Sequence, residues 1–302
     1  MSVEYLDKAI ALLAEVRDTQ SEAILTGARW IADAIAAGGF AHFFGAGHSH
    51  MALEEAFPRN GGLVGLHPLT ELAVSYYTPV IGNSGMYQMR FYQEVAGLGD
   101  VIWRNYTFKP TDVFVVFTNT GVTKVALDIA VRAREAGLRV IGVTSLKHAH
   151  ATGTEHAGGK RLHELADLVI DNCSVAGDAM VEVPGLDDNA GAGSSVTAIA
   201  IVNALSTEAA RELARRGVTP FVLPSPYFEG TEEGRARRRR AEQRWAECLV
   251  EYKRRYRDLF DEAVPEGASA SPGPSAPETG GQGRGGATPP GEQGPRTERS
   301  RA

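Results

Sequence analysis

The chain has 302 residues, of which 43% are hydrophobic and 23% are charged, and this is an ordinary globular composition. A formal net charge of −6 does not favour a general affinity for nucleic acid or for acidic membranes. The two cysteines do not form a disulfide framework, the N-terminus lacks the pattern of a signal peptide, and no apolar run approaches the roughly 20 residues of a membrane span. We therefore expect a cytoplasmic protein that binds neither nucleic acid nor membrane.

Helical and apolar segments follow one another along the chain. The first 37 residues carry apolar side chains at helical spacing in two stretches, which predicts two helices. The second of them is expected to end at Gly38-Gly39. Five apolar runs of strand length follow at 40–46, 62–69, 112–118, 139–144 and 167–172. Helices are predicted between them at 48–57, 86–97 and 122–136, and after them at 194–217 and about 232–262. Continuous apolar runs of this length are typical of strands that are covered on both faces.

The alternation of strands and helices predicts the fold class. It indicates parallel strands joined by right-handed crossovers, so we predict an α/β three-layer sandwich around a five-stranded parallel sheet, with extra helices at both ends. The expected parts are N-terminal helices at 1–39, a main domain at 40–217, a loop and charged helix at 218–264, and a tail at 265–302. From Glu266 onwards there is no Val, Ile, Leu, Met or aromatic residue, so we predict that the tail is disordered.

Two turns at strand ends have the composition of an anion site. The first predicted strand runs into Gly45-Ala46-Gly47-His48-Ser49, and the third runs into Thr118-Asn119-Thr120-Gly121-Val122-Thr123. Both turns precede a helix, whose free N–H groups and dipole favour an anion, and ligands of such sheets bind at this edge. The alternative is that these hydroxyl residues only cap helices. Neither turn matches a dinucleotide fingerprint or a P-loop.

These two turns, with the five strands and the late helix, resemble a SIS (sugar isomerase) domain over roughly residues 20–217. The resemblance implies a flavodoxin-like strand order, no cofactor, and a homodimer or larger assembly. It also implies that a sugar phosphate binds with its phosphate on the second turn. The implied binding residues are Gly47, His48, Ser49, Thr118, Asn119, Thr120, Gly121 and Thr123. Ser194, Ser195 and Asn203 of the late helix are further candidates for the site.

Glu55 is the candidate catalytic base. It lies six residues beyond Ser49 on the helix that the first turn opens, about 9 Å along the helix axis. From there a carboxylate reaches a carbon several atoms from a bound phosphate and abstracts the proton beside an open-chain carbonyl. The alternative is a surface carboxylate in the first helical turn that the helix dipole stabilises. Glu54 points about 100° away and is expected to be solvated.

The resulting enediolate leads to isomerisation or to loss of a group from carbon 3. The resemblance favours elimination, because "GAGHS" and "EAFP" are similar to N-acetylmuramic acid 6-phosphate etherase. Phosphoheptose isomerase carries a metal-suited glutamate four residues further on, where this chain has Arg59. The expected substrate is therefore a 6-phosphorylated N-acetyl amino sugar such as N-acetylglucosamine 6-phosphate. Aldose–ketose isomerisation and sugar-phosphate sensing without catalysis are the alternatives.

The family commonly uses a histidine to open the sugar ring, and His156 and His163 are the candidates here. Each is also compatible with a purely structural role. His42 and His67 lie within predicted strands and are expected to be core or edge residues. A zinc site made from His48, His50 and the histidines of "HAH" lacks a third positioned ligand, so we predict no metal.

Overall fold

The structure is a computed structural model that describes residues 3–57, 59–75, 85–225 and 230–256. All of these residues fall within the first of two units into which the chain divides, Met1–Leu259. Among them, no helix has both the length and the apolar character that a membrane crossing requires. The predicted disordered tail at 265–302 and the end of the predicted charged helix lie outside the described residues.

A five-stranded sheet forms the middle layer. Its strands are β1 (Ala41–Gly45), β2 (Leu66–Pro68), β3 (Val113–Phe117), β4 (Arg139–Thr144) and β5 (Leu168–Asp171). They pair in parallel in the order β2-β1-β3-β4-β5. The predicted parallel α/β sheet and its flavodoxin-like order are therefore confirmed.

Helices cover both faces of this sheet. They are α1 (Glu4–Ala36), α2 (Met51–Ala56), α3 (Gly85–Gln93), α4 (Leu98–Arg104), α5 (Lys124–Glu135), α6 (Leu146–Ala151), α7 (Leu162–Leu165), α8 (Ser194–Arg215) and α9 (Glu232–Arg255). Consecutive strand residues point to opposite faces, so Phe43 packs on the α1, α2 and α8 side and Phe44 on the α4, α5 and α7 side. Burial on both faces explains why the strand sequences are continuously apolar rather than alternating.

Several elements differ from the prediction. The N-terminal segment is one 33-residue helix rather than two helices, because no glycine or proline stands between its two apolar stretches. Val16 and Ile24, from either side of the expected break, are buried in the same core cluster as residues of α8. The prediction also lacked the short helices α6 and α7 and an antiparallel hairpin of β6 (Ala179–Val181) and β7 (Ala190–Ala192). Segments of three to six residues are too short to show a period.

A buried polar cluster lies at the amino ends of the strands, opposite the predicted site. Asp112 directly precedes β3, and its carboxylate accepts hydrogen bonds from Arg255 Nη1 at 2.7 Å and Phe40 N–H at 2.9 Å. His42 of β1 has Nε2 3.2 Å from Asp112 Oδ2 and Nδ1 2.9 Å from His67 Nδ1. His42 and His67 are both buried, which confirms the expectation from sequence. One Nδ1 must accept from the other, so the pair cannot be doubly protonated without placing two N–H groups against each other.

The buried pair of His42 and His67 makes the stability of the fold depend on pH. Burial lowers the pKa of both histidines, and the neighbouring charges bring the pKa of His67 to about 2. The unfolded chain binds a proton on His67 below about pH 6.5, whereas the folded protein does not. Stability is therefore fully present above pH 6.5 and is lost as the pH falls, by about 2 kcal/mol at pH 5 from His67. Urea unfolding at pH 7 and pH 5 measures this difference. His67→Gln is expected to shrink it by that amount, and an unchanged difference would contradict the prediction.

Candidate functional site

The two predicted turns start side by side at the carboxyl edge of the sheet. β1 and β3 are neighbours, and Gly45, the last residue of β1, pairs with Phe117, the last residue of β3. This is the point at which the strand order reverses, where ligands of open α/β sheets bind. The first turn leads through a 3₁₀ turn at Gly47–His50 into α2, and the second leads into α5.

Three threonine hydroxyls of the second turn form a triangle. Thr118 Oγ lies 2.9 Å from Thr123 Oγ and 3.3 Å from Thr120 Oγ, and the third side is 3.5 Å long. Within the described part of the chain, the N–H groups of Thr120 and Thr123 donate to no acceptor. Thr123 is the N-cap residue of α5, yet its side chain makes no capping bond. Three hydroxyls, two free amides and the N-terminus of α5 therefore lie together in one turn, and groups of this kind favour an oxyanion.

Gly121 sets the shape of this turn. Its φ of +73° lies in the left-handed region. A Cβ at this position would stand 2.9 Å from Ala149 Cβ and 3.0 Å from Thr144 Oγ. The turn is further tied down by the bond from Leu162 N–H to Gly121 oxygen, at 2.8 Å. Only glycine fits here, so the hydroxyl residues on both sides are held in place.

A small cavity opens beside the turns. It is lined by His48, Ser49, Phe117, Thr118, Asn119, Val143, Asn172, Ser194, Ser195 and Ala198. The structure thus brings His48 and Ser49 of the first turn together with Thr118 and Asn119 of the second. The N-terminus of α8 supplies Ser194 and Ser195, as the sequence suggested. A larger groove of about 770 Å³ lies between α1 and α8, but its lining is mainly apolar.

Glu55 lies outside this cavity lining. Its side chain is 16% exposed, and its carboxylate accepts bonds from Arg59 Nη1 at 2.9 and 3.0 Å and from Asn203 Nδ2 at 2.9 Å. Asn203, predicted to enter the site from α8, therefore contacts Glu55 rather than the cavity. Glu54 is 44% exposed and lies 3.3 Å from His50 Nδ1. The role of Glu55 stays a prediction.

The two candidate histidines differ in their surroundings. His156 Nε2 lies 3.0 Å from Asp128 Oδ1 of α5, and Asp128 Oδ2 accepts from Gly99 N–H of α4. His156 therefore joins two helices and a loop. His163 follows Leu162, which is bonded to the threonine turn, and its ring makes an edge contact with His150. Burial lowers the pKa of His163, and its Nδ1 has no partner among the described residues. Neither histidine lines the cavity, and their roles stay predictions.

Glu94 is a residue that the sequence analysis did not select. It directly follows α3, and its carboxylate faces the N–H and the side chain of Lys124, the first residue of α5. Burial raises the pKa of Glu94, and the charge and N–H of Lys124 oppose the shift. A carboxylate with a raised pKa beside a phosphate-sized turn is suited to acid–base chemistry. No local pattern distinguishes Glu94, because only the packing of α3 against α5 brings it here.

No group of three or more His, Cys, Asp or Glu side chains within the described ranges is arranged to hold a metal ion. The described polar groups at the site are hydroxyls, amides, the imidazole of His48 and single carboxylates. These groups suit the binding of an oxyanion and the transfer of a proton.

Comparison with known proteins matches part of the chain to a described domain. Residues 4–145 match the sequence profile of the SIS domain. This segment therefore carries a SIS domain, a domain that takes its name from sugar isomerases.

Curated relatives identify the family more narrowly. The chain is 31% identical over 233 residues to a UPF0309 protein of Listeria monocytogenes, covering 77% of this chain and 93% of the relative. It is 32% identical over 237 residues to a UPF0309 protein of Streptomyces griseus, covering 78% and 92%. The chain belongs to the UPF0309 family.

Among solved structures, a phosphoheptose isomerase from Francisella tularensis is similar to this chain with a TM-score of 0.45 and 14% identity. The similarity covers 69% of this chain and 95% of the isomerase. At this level the likeness carries no argument about activity.

Proposed function

We propose that the protein is an enzyme that acts on 6-phosphorylated N-acetyl amino sugars. The threonine triangle at the N-terminus of α5, where the side chain of the N-cap residue Thr123 makes no capping bond, is the observation that carries this proposal. A phosphate at this position receives hydrogen bonds from Thr118, Thr120 and Thr123 and from the free amides of the turn. The rest of the sugar then extends toward His48, Ser49 and the N-terminus of α8.

The proposed reaction starts with proton abstraction from carbon 2 of the open-chain sugar. The electron pair of the C–H bond forms a double bond between carbons 1 and 2, the carbonyl pair moves onto oxygen, and an enolate with the acetamido group on carbon 2 results. The oxygen pair then reforms the carbonyl, the double bond shifts to carbons 2 and 3, the carbon 3–oxygen bond breaks, and a protonated side chain gives the leaving oxygen its proton. Carbon 3 elimination is preferred because Arg59 stands where a metal-assisted isomerase needs a carboxylate. In this structure Arg59 binds Glu55.

Two carboxylates compete for the role of base. Both carboxylate oxygens of Glu55 accept hydrogen bonds from Arg59 or Asn203. These bonds have to break before Glu55 can accept a proton from the substrate. Glu94 stands at the first residue of α5, next to the threonine turn, and burial raises its pKa, which favours its use in proton transfer. Neither carboxylate lines the cavity, and the position of Glu94 at the start of α5 is the reason to prefer it over Glu55.

Proton exchange at carbon 2 tests the proposal. The wild-type protein is incubated with N-acetylglucosamine 6-phosphate in heavy water, and loss of the carbon 2 proton is followed by NMR. We expect exchange in the wild type and a loss of about 100-fold or more in Glu94→Gln, because general-base catalysis contributes about 10²–10⁴-fold. Glu155→Gln is the matched control, because Glu155 pairs with the same Lys124 at 3.3 Å while being 87% exposed.

The outcomes separate the alternatives. A loss in Glu55→Gln but not in Glu94→Gln assigns the base to Glu55. Exchange followed by a ketose product on a hexose or heptose phosphate with a carbon 2 hydroxyl identifies isomerisation, and an unsaturated product from N-acetylglucosamine 6-phosphate identifies elimination. Saturable binding with no exchange on any hexose or heptose phosphate contradicts catalysis and favours a sugar-phosphate sensor.

Assembly into a homodimer or larger oligomer belongs to the same proposal. Tyr87 and Phe91 lie one turn apart on α3, and they are 84% and 67% exposed. Large exposed aromatic side chains that share a helix face support a contact with another subunit.

A further inference from the structure

A chain of buried polar side chains lies beneath the threonine turn. Asn172 directly follows β5 and is 3% exposed, and its backbone N–H donates to Thr144 oxygen at 2.9 Å. Its side chain reaches Asn119, which is 53 residues earlier in the sequence. Ser174 lies beside both and is fully buried. Asn172 was not a candidate from the sequence, and the proton-transfer chemistry above does not use it.

The hydrogen bonds fix which way each amide points. The backbone N–H of Ser174 donates to Asn172 at 3.0 Å, and a backbone N–H can only donate, so the atom that it meets is Oδ1. The other end of Asn172 is therefore Nδ2, a donor, and it lies 2.9 Å from Asn119. The Asn119 atom that it meets must then be Oδ1. Ser174 Oγ lies 3.2 Å from the same oxygen.

This order leaves the side chain of Asn119 with one free polar group. Its Oδ1 is used by Asn172 and Ser174, and its Nδ2 has no acceptor among the described residues. Asn119 lines the cavity beside the threonine triangle, so Nδ2 is the polar atom that it offers to a ligand. An amide nitrogen only donates, so this wall of the cavity favours an acceptor such as a phosphate or carbonyl oxygen.

We infer that Asn172 is a positioning residue that sets the side-chain amide of Asn119 as a hydrogen-bond donor to the bound sugar phosphate. This inference rests on the proposed function for its ligand, although the orientation itself does not. Asn172→Asp reverses the arrangement, because a carboxylate still accepts from Ser174 N–H but cannot donate to Asn119. Asn119 then turns its Nδ2 toward residue 172 and presents an acceptor to the cavity.

Side-chain amide exchange tests the orientation without any ligand. In asparagine-labelled wild-type protein, we expect the Asn172 NH₂ protons to exchange with solvent at least tenfold more slowly than those of Asn119. In Asn172→Asp the Asn119 protons should slow by at least tenfold, because they bond to the new carboxylate. Protected Asn119 protons in the wild type, or no change in the variant, overturn the inference.

A double-mutant cycle tests the consequence for binding, with N-acetylglucosamine 6-phosphate as the probe in calorimetry. Asn172→Asp and Asn119→Ala are each expected to weaken binding at least tenfold, and the double variant to be no weaker than Asn119→Ala alone. If the carboxylate introduced by Asn172→Asp acted only through its charge, it would repel the anion whether or not Asn119 was present, and the two losses would multiply. Multiplying losses therefore overturn the inference. Absence of binding to the wild type contradicts the proposed function instead, and the exchange measurement still decides the orientation.

Discussion

Replacing Thr123 by valine is expected to weaken the binding of N-acetylglucosamine 6-phosphate by about tenfold or more. Thr123 Oγ lies 2.9 Å from Thr118 Oγ and 3.5 Å from Thr120 Oγ, so it is one corner of the hydroxyl triangle that is proposed to bind the phosphate. A hydrogen bond to a charged group contributes about 1.5–3 kcal/mol, and 1.4 kcal/mol is a factor of ten in affinity. Valine keeps the shape of threonine and removes only the hydroxyl.

Thr118→Val should have an effect of similar size, because Thr118 contacts both other hydroxyls. Calorimetric titration measures the affinity, and thermal unfolding shows that each variant is folded. Thr26→Val is the matched control, since Thr26 Oγ accepts from Arg29 within α1, at 2.7 Å, and lies outside the cavity lining. Wild-type affinity in Thr123→Val would place the anion elsewhere and remove the main support for the proposed function.

Asp112→Ala is expected to lower the free energy of unfolding by about 3–5 kcal/mol, the usual cost of breaking a buried ion pair. Arg255 is 3% exposed, and its guanidinium donates to the Asp112 carboxylate at 2.7 and 3.3 Å. Lys109 N–H donates to the same carboxylate at 2.7 Å, and Phe40 N–H at 2.9 Å. Burial by itself raises a carboxyl pKa, yet His42, Arg255 and Lys109 N–H hold the pKa of Asp112 below its usual range.

Removing the Asp112 carboxylate leaves the Arg255 charge buried and two backbone donors without acceptors, which explains the large expected cost. Urea unfolding of the full chain measures it. Asp100→Ala is the control, because Asp100 pairs with Arg132 at 2.7 Å near the surface, where the two side chains are 33% and 40% exposed. An exposed pair of this kind contributes about 0–1 kcal/mol. Equal losses of unfolding free energy in the two variants would contradict the prediction that the buried Asp112 pair stabilises the fold more than the exposed Asp100 pair.

Thr123 and Asp112 lie at opposite edges of the sheet. The threonine turn lies at the carboxyl ends of the strands, whereas Asp112 precedes β3 at the amino end. Ligand binding and stability can therefore be altered separately. Asp112→Ala should weaken the fold while the affinity of the remaining folded protein for a sugar phosphate stays close to that of the wild type.

The sequence alone determined the five strands, their parallel pairing and the two turns. Strands buried on both faces must be apolar throughout, and a turn that leads from such a strand into a helix needs glycine and hydroxyl residues at fixed spacing. These are local requirements, so they are visible within a few residues. The threonines of the second turn are at most five residues apart, and their convergence follows from that spacing.

Only the tertiary structure decided which distant groups meet. Asn172 reaches Asn119 across 53 residues and Arg255 reaches Asp112 across 143, and nothing in their local sequence marks either pair. The sequence pointed to Glu55 and did not mark Glu94, but packing binds Glu55 to Arg59 and Asn203 and brings Glu94 to the start of α5. Residues of both halves of α1 are buried in one core cluster with the long helix α8, and this contact adds to the absence of a helix breaker between the halves. These contacts depend on burial and on the packing of separate elements, so short stretches of the sequence do not reveal them.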